Sequence, residues 1–392
     1  MSTRDAKIDT RIIHAGRAPE DHHGTVNPPA YRASTVIAPT VRELNERGKK
    51  RFDHVVTYGR HGTPTTFALE DAVAEIEGGT HCVSVGSGLA AVTATLTALL
   101  SAGDHLLMVD SVYGPTRAFC DHTLARMGIE TTYYDPAAGA GISALMRPET
   151  KVVFTESPGS HTFEVQDVPA IAEVAHGGGA VVVMDNTWGI LTFQPFTKGV
   201  DVSVQAATKY IVGHSDAMLG TITCADKDLF LRIRTSVALF GFAAGSEEAW
   251  LGLRGLRTLP IRLRQHFDAG LRIAQWLQTR PEVAAVLHPA LPDHPGHALW
   301  ARDFTGGCGL FGVALKPVSE AAVEAMLDGY DLFALGYSWG GFESLVVPTH
   351  VSRTATDWPH QGPLVRYHIG LEDPSDLIAD LERGFDRLGS PA

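Results

Sequence analysis

The spacing of apolar residues divides the chain into segments of different character. Between residues 63 and 258, short apolar runs alternate with stretches whose apolar positions recur at helical spacing. The runs predicted as strands are 82–85, 105–109, 151–155 and 180–184. The stretches predicted as helices are 66–77, 89–100, 116–127 and 168–174. Strands that alternate with helices indicate a mainly parallel sheet with covered faces, and therefore an α/β domain.

The two ends of the chain have different patterns. Residues 1–62 show little sustained periodicity and are broken by prolines and glycines, which predicts an irregular N-terminal arm. We expect this arm to contact a partner subunit, because it cannot bury much of its own surface. Residues 63–258 form the predicted large domain, and residues 259–392 a smaller C-terminal domain. The elements predicted in the smaller domain are helices at 262–278, 320–327 and 375–388 and strands at 309–315 and 364–369.

Composition narrows the class of protein. A chain of 392 residues with 44% hydrophobic and 19% charged residues has enough apolar material for two or three domains. The formal net charge of −12 argues against a nucleic-acid or anionic-membrane partner. The polar N-terminus lacks an apolar signal core, and the apolar stretches are too short to span a bilayer. Scattered cysteines without metal-ligand spacing predict reduced buried thiols in a cytoplasmic protein and no metal site: Cys82, Cys120, Cys224 and Cys308.

Polar residues that follow the predicted strands are the first candidates for a site, because ligands bind at the carboxyl ends of parallel strands. Asp185 ends the run 180–184, Tyr113 follows another strand, and the turn Gly86-Ser87-Gly88 follows a third. A glycine-rich turn that opens a helix presents free N–H groups to a phosphate. A simple tight turn between strand and helix is the alternative.

Lys209 lies in an unusual environment for a lysine. The surrounding run, 201–215, consists mostly of small and apolar residues. A buried lysine is costly unless it is neutral, paired or covalently linked, and a Schiff base removes that cost. Pyridoxal phosphate (PLP) needs such a lysine, together with an acid that keeps its pyridine nitrogen protonated. Asp185 is the candidate acid, although an Asp-Asn dipeptide is also common in turns.

The run 201–215 resembles the lysine signature of the Cys/Met-metabolism family of PLP-dependent enzymes throughout. Further segments resemble the bacterial cystathionine β-lyases within that family, and together they cover the chain from about residue 55 to its end. The Ser-Trp-Gly-Gly element at 338–341 is more typical of these lyases than of the γ-acting members. The supporting segments are 58–63, 156–160, 185–188, 213–218, 254–259, 337–344 and 366–373.

The resemblance implies an aspartate-aminotransferase-type fold (fold type I). Its large domain has a mainly parallel seven-stranded sheet, and its smaller C-terminal domain is α+β. It also implies a homotetramer, built as a dimer of dimers with active sites shared between subunits. The implied activity is β-elimination of L-cystathionine to homocysteine, pyruvate and ammonia, in methionine biosynthesis by transsulfuration. The alternatives are a lyase for other cysteine S-conjugates, a γ-lyase or γ-synthase, and a non-catalytic PLP-binding regulatory protein.

The resemblance also implies roles for individual residues. Lys209 would carry PLP and then move protons, and Asp185 would hold the pyridine N–H. Tyr113 would stack on the ring; the alternative is a loop aromatic that covers the core. The phosphate would be bound by residues of the same subunit: Gly88, Leu89 and Thr208. Tyr58 and Arg60 would reach it from the neighbouring subunit, although such an arginine is otherwise typical of a solvated loop.

The substrate side of the site follows from the same resemblance. Arg366 would bind the α-carboxylate, assisted by Ser338, Trp339 and Tyr58, with Lys209, Tyr113 and Tyr58 as the catalytic set. From its sequence context alone, Arg366 could equally be an outward residue of the strand 364–369.

Three places depart from the pattern or have no counterpart in it. His61 stands where the close lyases carry a second arginine, and Arg117-Ala118 stands where they are more acidic. We expect both places to lie near the distal part of the substrate. Phe240-Gly241-Phe242 is a candidate active-site flap.

Overall fold

The computed structural model describes residues 6–388. The first five residues of the predicted arm and the last four of the predicted C-terminal domain lie outside this range. The α-helices are α1 (Ile8–His14), α2 (Val41–Lys49), α3 (Pro64–Glu77), α4 (Gly88–Leu99), α5 (Gly114–Ala118), α6 (Val168–Gly177), α7 (Lys227–Leu239), α8 (Ser246–Leu256), α9 (Leu259–Leu277), α10 (His297–Asp303), α11 (Glu320–Asp328) and α12 (Pro374–Leu388). The strands are β1 (His81–Val85), β2 (His105–Val109), β3 (Glu130–Tyr134), β4 (Thr150–Glu156), β5 (Val181–Asp185), β6 (Val202–Gln205), β7 (Gly220–Cys224), β8 (Val283–Leu287), β9 (Leu310–Leu315), β10 (Ala334–Leu335), β11 (Leu345–Thr349) and β12 (Leu364–His368).

A seven-stranded sheet forms the centre of the larger part of the molecule. Its strand order is β1-β7-β6-β5-β4-β2-β3, and only β7 runs antiparallel to its neighbours. The side chains of β2 and most of those of β4 and β5 are buried, as expected for strands covered by helices on both faces. The predicted seven-stranded, mainly parallel α/β sheet is therefore confirmed.

Parallel strands end at one edge of this sheet, and that edge positions the polar residues singled out above. Glu156 and Asp185 end β4 and β5 and are partners in the strand register. The turn at Ser87 follows β1, and the Ser87 hydroxyl accepts a hydrogen bond from the Ala90 amide to cap α4. Lys209 lies four residues beyond β6.

A second sheet has the order β10-β11-β12-β9-β8, in which β10 and β11 are parallel and the other pairs antiparallel. It packs with α9, α11 and α12 around a separate hydrophobic core centred on Phe311, Tyr367 and Phe385. Helix α9 begins at Leu259, where the sequence predicts the domain boundary. The division at residue 258 stays a prediction.

The N-terminal segment is more regular than the sequence predicts. It contains two α-helices, so the expectation of an irregular arm is wrong for these residues. Ile12 of α1 is fully buried in the main core. The Thr40 side chain caps α2 by accepting from the Glu43 amide, a local Thr-x-x-Glu signal for a helix start. Helix α2 itself buries no residue.

The structure also tests the predicted helix at 116–127 and the predicted state of the cysteines. The helix predicted at 116–127 is present, but its Phe119–Leu124 section is π-helical and follows the short helix α5. All four cysteines are buried and free, as predicted. Among residues 6–388, no helix is both long and apolar enough to cross a membrane.

Candidate active site

Lys209 lies at the centre of a group of polar side chains from both sheets. Its Nζ donates a hydrogen bond to the Ser338 Oγ at 2.6 Å and lies 5.5 Å from the centre of the Trp339 ring. Burial and, to a smaller extent, the positive charge of Arg366 lower the pKa of Lys209 to about 8, although the charge of Asp185 acts in the opposite direction. A lysine with this pKa is partly neutral near pH 8, which an amine nucleophile or proton acceptor requires.

Arg366 is the second cation of the group. Only 9% of its surface is exposed, so the alternative of an outward strand residue is wrong. Its Nη2 donates to the Ser338 carbonyl at 2.9 Å, and among residues 6–388 no carboxylate lies within ion-pair distance of its guanidinium. Burial lowers the pKa of Arg366 to about 10. A buried cation without an acidic partner is costly, which indicates that this position binds an anionic ligand.

Asp185 is held from one side by Thr187. Its Oδ1 accepts from the Thr187 amide at 3.0 Å and from the Thr187 hydroxyl at 2.6 Å. The Thr187 hydroxyl oxygen also accepts from the Ala206 amide at 2.8 Å, which connects Asp185 to the lysine-bearing segment. Burial raises the pKa of Asp185, while Thr187 and Lys209 act in the opposite direction.

Tyr113 lies at the mouth of the same group, with 43% of its surface exposed. Its amide donates to the Glu156 Oε2 at 2.8 Å. Burial of the hydroxyl and the nearby charges of Glu156 and Asp185 raise the pKa of Tyr113, and Arg366 lowers it. Glu156 is a residue of this site that our sequence reasoning missed. The same signal that singled out Asp185, a carboxylate at the end of a buried strand, could have found it.

The turn before α4 lies directly against the lysine-bearing segment. A Cβ added to Gly88 would lie 2.5 Å from the Ala206 Cβ, so only glycine allows this approach. In the part of the chain that the structure describes, no group accepts a hydrogen bond from the amides of Gly88 or Leu89. Thr208 lies nearby, but its hydroxyl is engaged with the Leu219 backbone, accepting from its amide at 2.8 Å and donating to its carbonyl at 3.1 Å.

Tyr58 and Arg60 do not contact this group within the chain. Tyr58 is 44% exposed, and its hydroxyl lies 3.5 Å from the Ser34 Oγ. Arg60 is exposed and donates to the Ala238 carbonyl at 2.6 Å. Within one chain, the structure therefore brings Lys209, Asp185, Tyr113 and Arg366 near one another. It does not bring Tyr58 or Arg60, which we expected a neighbouring subunit to supply, into contact with them.

The departures from the family pattern differ in their surroundings. Arg117 is buried, and its Nη2 donates to the Asp110 Oδ1 at 2.5 Å, so its charge is already paired, whereas Ala118 is exposed. Partial burial and three nearby arginines lower the pKa of His61. Phe240 is 56% exposed and stacks on Phe242 at the end of α7.

Comparison with known proteins agrees with this geometry. The family model described as "Cys/Met metabolism PLP-dependent enzyme" matches residues 9–386. The chain belongs to this family. Cystathionine beta-lyase MetC of Escherichia coli (strain K12) is 44% identical, with 98% of this chain and 99% of that protein covered. Cystathionine beta-lyase of Salmonella typhimurium is 43% identical, with 98% and 99% covered.

A solved structure extends the comparison to the fold. The crystal structure of metB from Corynebacterium glutamicum superposes with a TM-score of 0.91 at 31% identity and covers 99% of this chain and 100% of that chain. The predicted resemblance to the Cys/Met-metabolism PLP-dependent enzymes is confirmed, and with it the fold type and the PLP cofactor.

The residues present fit the cofactor of this family. A lysine whose pKa is lowered to about 8 can bond to an aldehyde carbon, and a carboxylate near it can pair with a protonated pyridine. The free amides of Gly88 and Leu89 at the start of α4 are donors suited to a phosphate. The buried Arg366, which has no acidic partner among residues 6–388, is suited to a substrate carboxylate.

Proposed function

We propose that this protein is a PLP-dependent carbon–sulfur β-lyase that converts L-cystathionine and water to homocysteine, pyruvate and ammonia. The observation that carries the proposal is the position of Lys209, which shares Ser338 with the buried Arg366. Arg366 can thus bind the carboxylate of a substrate while Lys209 is placed to act on a bond close to that carboxylate. The names of the relatives from Escherichia coli and Salmonella typhimurium support the choice of substrate.

Arg366 determines how the substrate is oriented. Its guanidinium offers parallel N–H donors, which suit a bidentate contact with the substrate α-carboxylate. When PLP is bound, it withdraws electrons from the substrate Cα and so acidifies the Cα–H bond. Fixing the carboxylate restricts rotation about Cα and directs the Cα–H bond toward the amine of Lys209. Proximity and orientation of this kind lower the activation barrier.

Lys209 is the proposed proton carrier for both halves of the elimination. Its neutral amine accepts the proton from Cα, and the bond between the β-carbon and sulfur then breaks. The resulting ammonium returns a proton to the departing homocysteine sulfur, so the same nitrogen serves as base and acid. The remaining three-carbon fragment is hydrolysed to pyruvate and ammonia.

The remaining residues hold the cofactor and complete the site. We assign Asp185 to the pyridine nitrogen, Tyr113 to the face of the ring, and Gly88, Leu89 and Thr208 to the phosphate. The Thr208 hydroxyl is bonded to Leu219, so its phosphate contact would use one more lone pair or a rotated hydroxyl. Trp339 supports Lys209 from the side of the second sheet.

We also propose that the site is completed in a cytoplasmic homotetramer. Tyr58 and Arg60 make no contact with Lys209 of their own chain and are exposed, which suits residues that reach a neighbouring subunit's phosphate. Helix α2, which buries no residue in its own chain, and the exposed Ile37 beside it suit a subunit contact.

Product analysis tests the proposed reaction. The PLP-loaded protein is incubated separately with L-cystathionine, cystine and S-alkyl cysteines, and the keto acid is identified by chromatography. Pyruvate with homocysteine is the expected outcome for cystathionine, whereas 2-oxobutyrate would assign a γ-lyase. Release of pyruvate only from the other thioethers would assign an S-conjugate lyase. Retention of PLP without any keto acid would favour the regulatory alternative.

Lys209→Ala tests the chemistry. We expect it to lose the visible absorbance of lysine-bound PLP and nearly all turnover. Turnover close to that of the unmodified protein would exclude the mechanism. Lys198→Ala is a comparison at a lysine that pairs with Asp303 rather than with any residue of the site, and we expect it to keep both properties.

A further inference from the structure

Glu156 is a carboxyl group at the centre of the site to which the reaction above assigns no role. It ends β4, and its register partner on the adjacent strand β5 is Asp185. Side chains at register-paired positions of parallel strands project from the same face of a sheet, at the spacing of neighbouring strands, about 4.8 Å. Two acids therefore lie side by side at the edge where the cofactor binds.

The two carboxyl groups have different hydrogen-bond donors. Asp185 accepts from both the amide and the hydroxyl of Thr187. Glu156 accepts from the Tyr113 amide alone, and among residues 6–388 its side chain makes no second hydrogen bond. Donors stabilise the ionised form of a carboxyl group, so the negative charge of the pair is better accommodated on Asp185.

The protonation tendencies agree with this asymmetry. Burial raises the pKa of Glu156 well above its ordinary value, and the charge of Asp185 raises it further, against the opposing effect of the Tyr113 amide. Burial also raises the pKa of Asp185, but the hydrogen bonds from Thr187 and the positive charge of Lys209 oppose this effect. Two acids that are this close do not ionise together in a site of low dielectric.

The Tyr113 contact gives Glu156 a mechanical role as well. Tyr113 lies between β2 and α5, and 43% of its surface is exposed. In this loop, the hydrogen bond from the Tyr113 amide to Glu156 ties the backbone of the aromatic residue to the end of a buried strand. Loss of this contact would free the ring to leave the cofactor face.

We propose that Glu156 is a positioning residue for the reaction: it holds the Tyr113 backbone in place and, as the neutral member of a carboxyl pair, leaves the negative charge on Asp185. This inference rests on the proposed function, because it assumes that Tyr113 and Asp185 contact the cofactor. A protonated Glu156 avoids a second negative charge that would compete with Asp185 for the pyridine proton.

Three variants test the inference in the full-length, PLP-loaded protein. Glu156→Gln is a neutral isostere that can still accept from the Tyr113 amide, and we expect kcat, its pH profile and the circular dichroism of bound PLP to stay close to those of the unmodified protein. Glu156→Asp and Glu156→Ala cannot make that contact. For both we expect kcat to fall about tenfold or more, the scale of a misplaced catalytic group, with a weaker cofactor dichroism signal.

Glu130→Gln is the matched control. Glu130 is an exposed glutamate at the amino end of β3, paired with Arg147 away from the site, and we expect its replacement to leave every readout unchanged. Thermal unfolding of each variant shows whether a loss reflects folding, and Glu156→Asp serves if Glu156→Ala does not fold.

Two outcomes would overturn the inference. If Glu156→Gln is as impaired as Glu156→Ala, Glu156 acts as a charged group. If folded Glu156→Ala keeps full activity and dichroism, Glu156 positions nothing. Failure of the proposed function is recognised separately: the unmodified protein would then not bind PLP through Lys209, or Lys209→Ala would retain turnover, whatever the Glu156 variants do.

Discussion

The amine of Lys209 donates a hydrogen bond to the hydroxyl of Ser338 at 2.6 Å. These residues are 129 positions apart in the sequence, and they follow strands of two different sheets, β6 for Lys209 and β10 for Ser338. The same serine accepts from Arg366 through its carbonyl. Ser338 therefore connects the proposed proton carrier to the proposed carboxylate-binding residue.

Removal of the Ser338 hydroxyl tests this connection. Ser338 has a φ of +83°, a conformation that glycine adopts without strain and alanine does not. We expect Ser338→Gly and Ser338→Ala to lower kcat to the same extent, since both free the Lys209 amine. Ser338→Ala should be less stable than Ser338→Gly by about 1 kcal/mol, because alanine keeps the Cβ strain of serine and glycine avoids it. Steady-state kinetics and urea denaturation measure the two effects; unchanged kcat in both variants would contradict the proposed role of the hydroxyl.

Replacement of Arg366 by lysine tests the carboxylate contact. Lys keeps the positive charge but loses the planar pair of donors. We expect KM for the thioether to rise about tenfold or more, because a bidentate charge-assisted contact is lost, while lysine-bound PLP absorbs as before. Kinetic titration with L-cystathionine and an absorbance spectrum of the protein without substrate check both points. An unchanged KM would assign the α-carboxylate to another residue.

A glycine next to Lys209 offers a test of packing. Gly340 has a φ of +86°, and an added Cβ would lie 2.9 Å from the Lys209 carbonyl carbon. We expect Gly340→Ala to lose about 2–4 kcal/mol of unfolding free energy and most activity, through strain and displacement of the lysine backbone. Gly103→Ala is the matched control, since Gly103 has a φ of +92° but no atom within 4 Å of the added Cβ. Equal losses in the two variants would show that backbone strain alone acts at Gly340.

Buried histidines predict how stability depends on pH. Burial lowers the pKa values of His266 and His288 to about 4 from an ordinary value of 6.5. As pH falls, these histidines are protonated near pH 6.5 in the unfolded chain but only near pH 4 in the folded protein. The free energy of unfolding that they contribute is therefore present above about pH 6.5 and is lost as pH falls toward about 4. Each histidine contributes a slope of about 1.4 kcal/mol per pH unit in that window.

His288→Asn measures this slope. Asparagine removes the titrating group while retaining an acceptor for the Ala290 amide, which bonds to the His288 Nδ1 at 3.1 Å. We expect the variant to be less stable at neutral pH but to lose less stability between about pH 6 and 4.5 than the unmodified protein. Urea denaturation across this range is the measurement. Parallel curves for the two proteins would mean that His288 is not neutral in the folded state.

Much of the fold and several site residues could be predicted from local patterns. The strand ending at Asp185 and the turn at Gly88 were visible because an apolar run or a glycine-rich turn carries its own periodicity and breaker residues. Helix α2 was missed because it is short and contains only two large apolar residues, Val41 and Leu44, so the Thr40–Glu43 cap is its clearest signal. Glu156 ends a buried strand as Asp185 does, but its place beside Asp185 depends on which strand lies next to β4.

By itself, the sequence determined the α/β class, the candidate lysine and acid, and the family resemblance, because these depend on the order of residue types along the chain. Only the tertiary structure decided that Arg366 is buried without an acidic partner among the described residues, that Ser338 joins it to Lys209, and that Arg117 is occupied by Asp110. Such pairings depend on which distant segments the two sheets bring into contact. Hydrogen bonds and burial act over a few ångströms in space, whatever the separation in sequence.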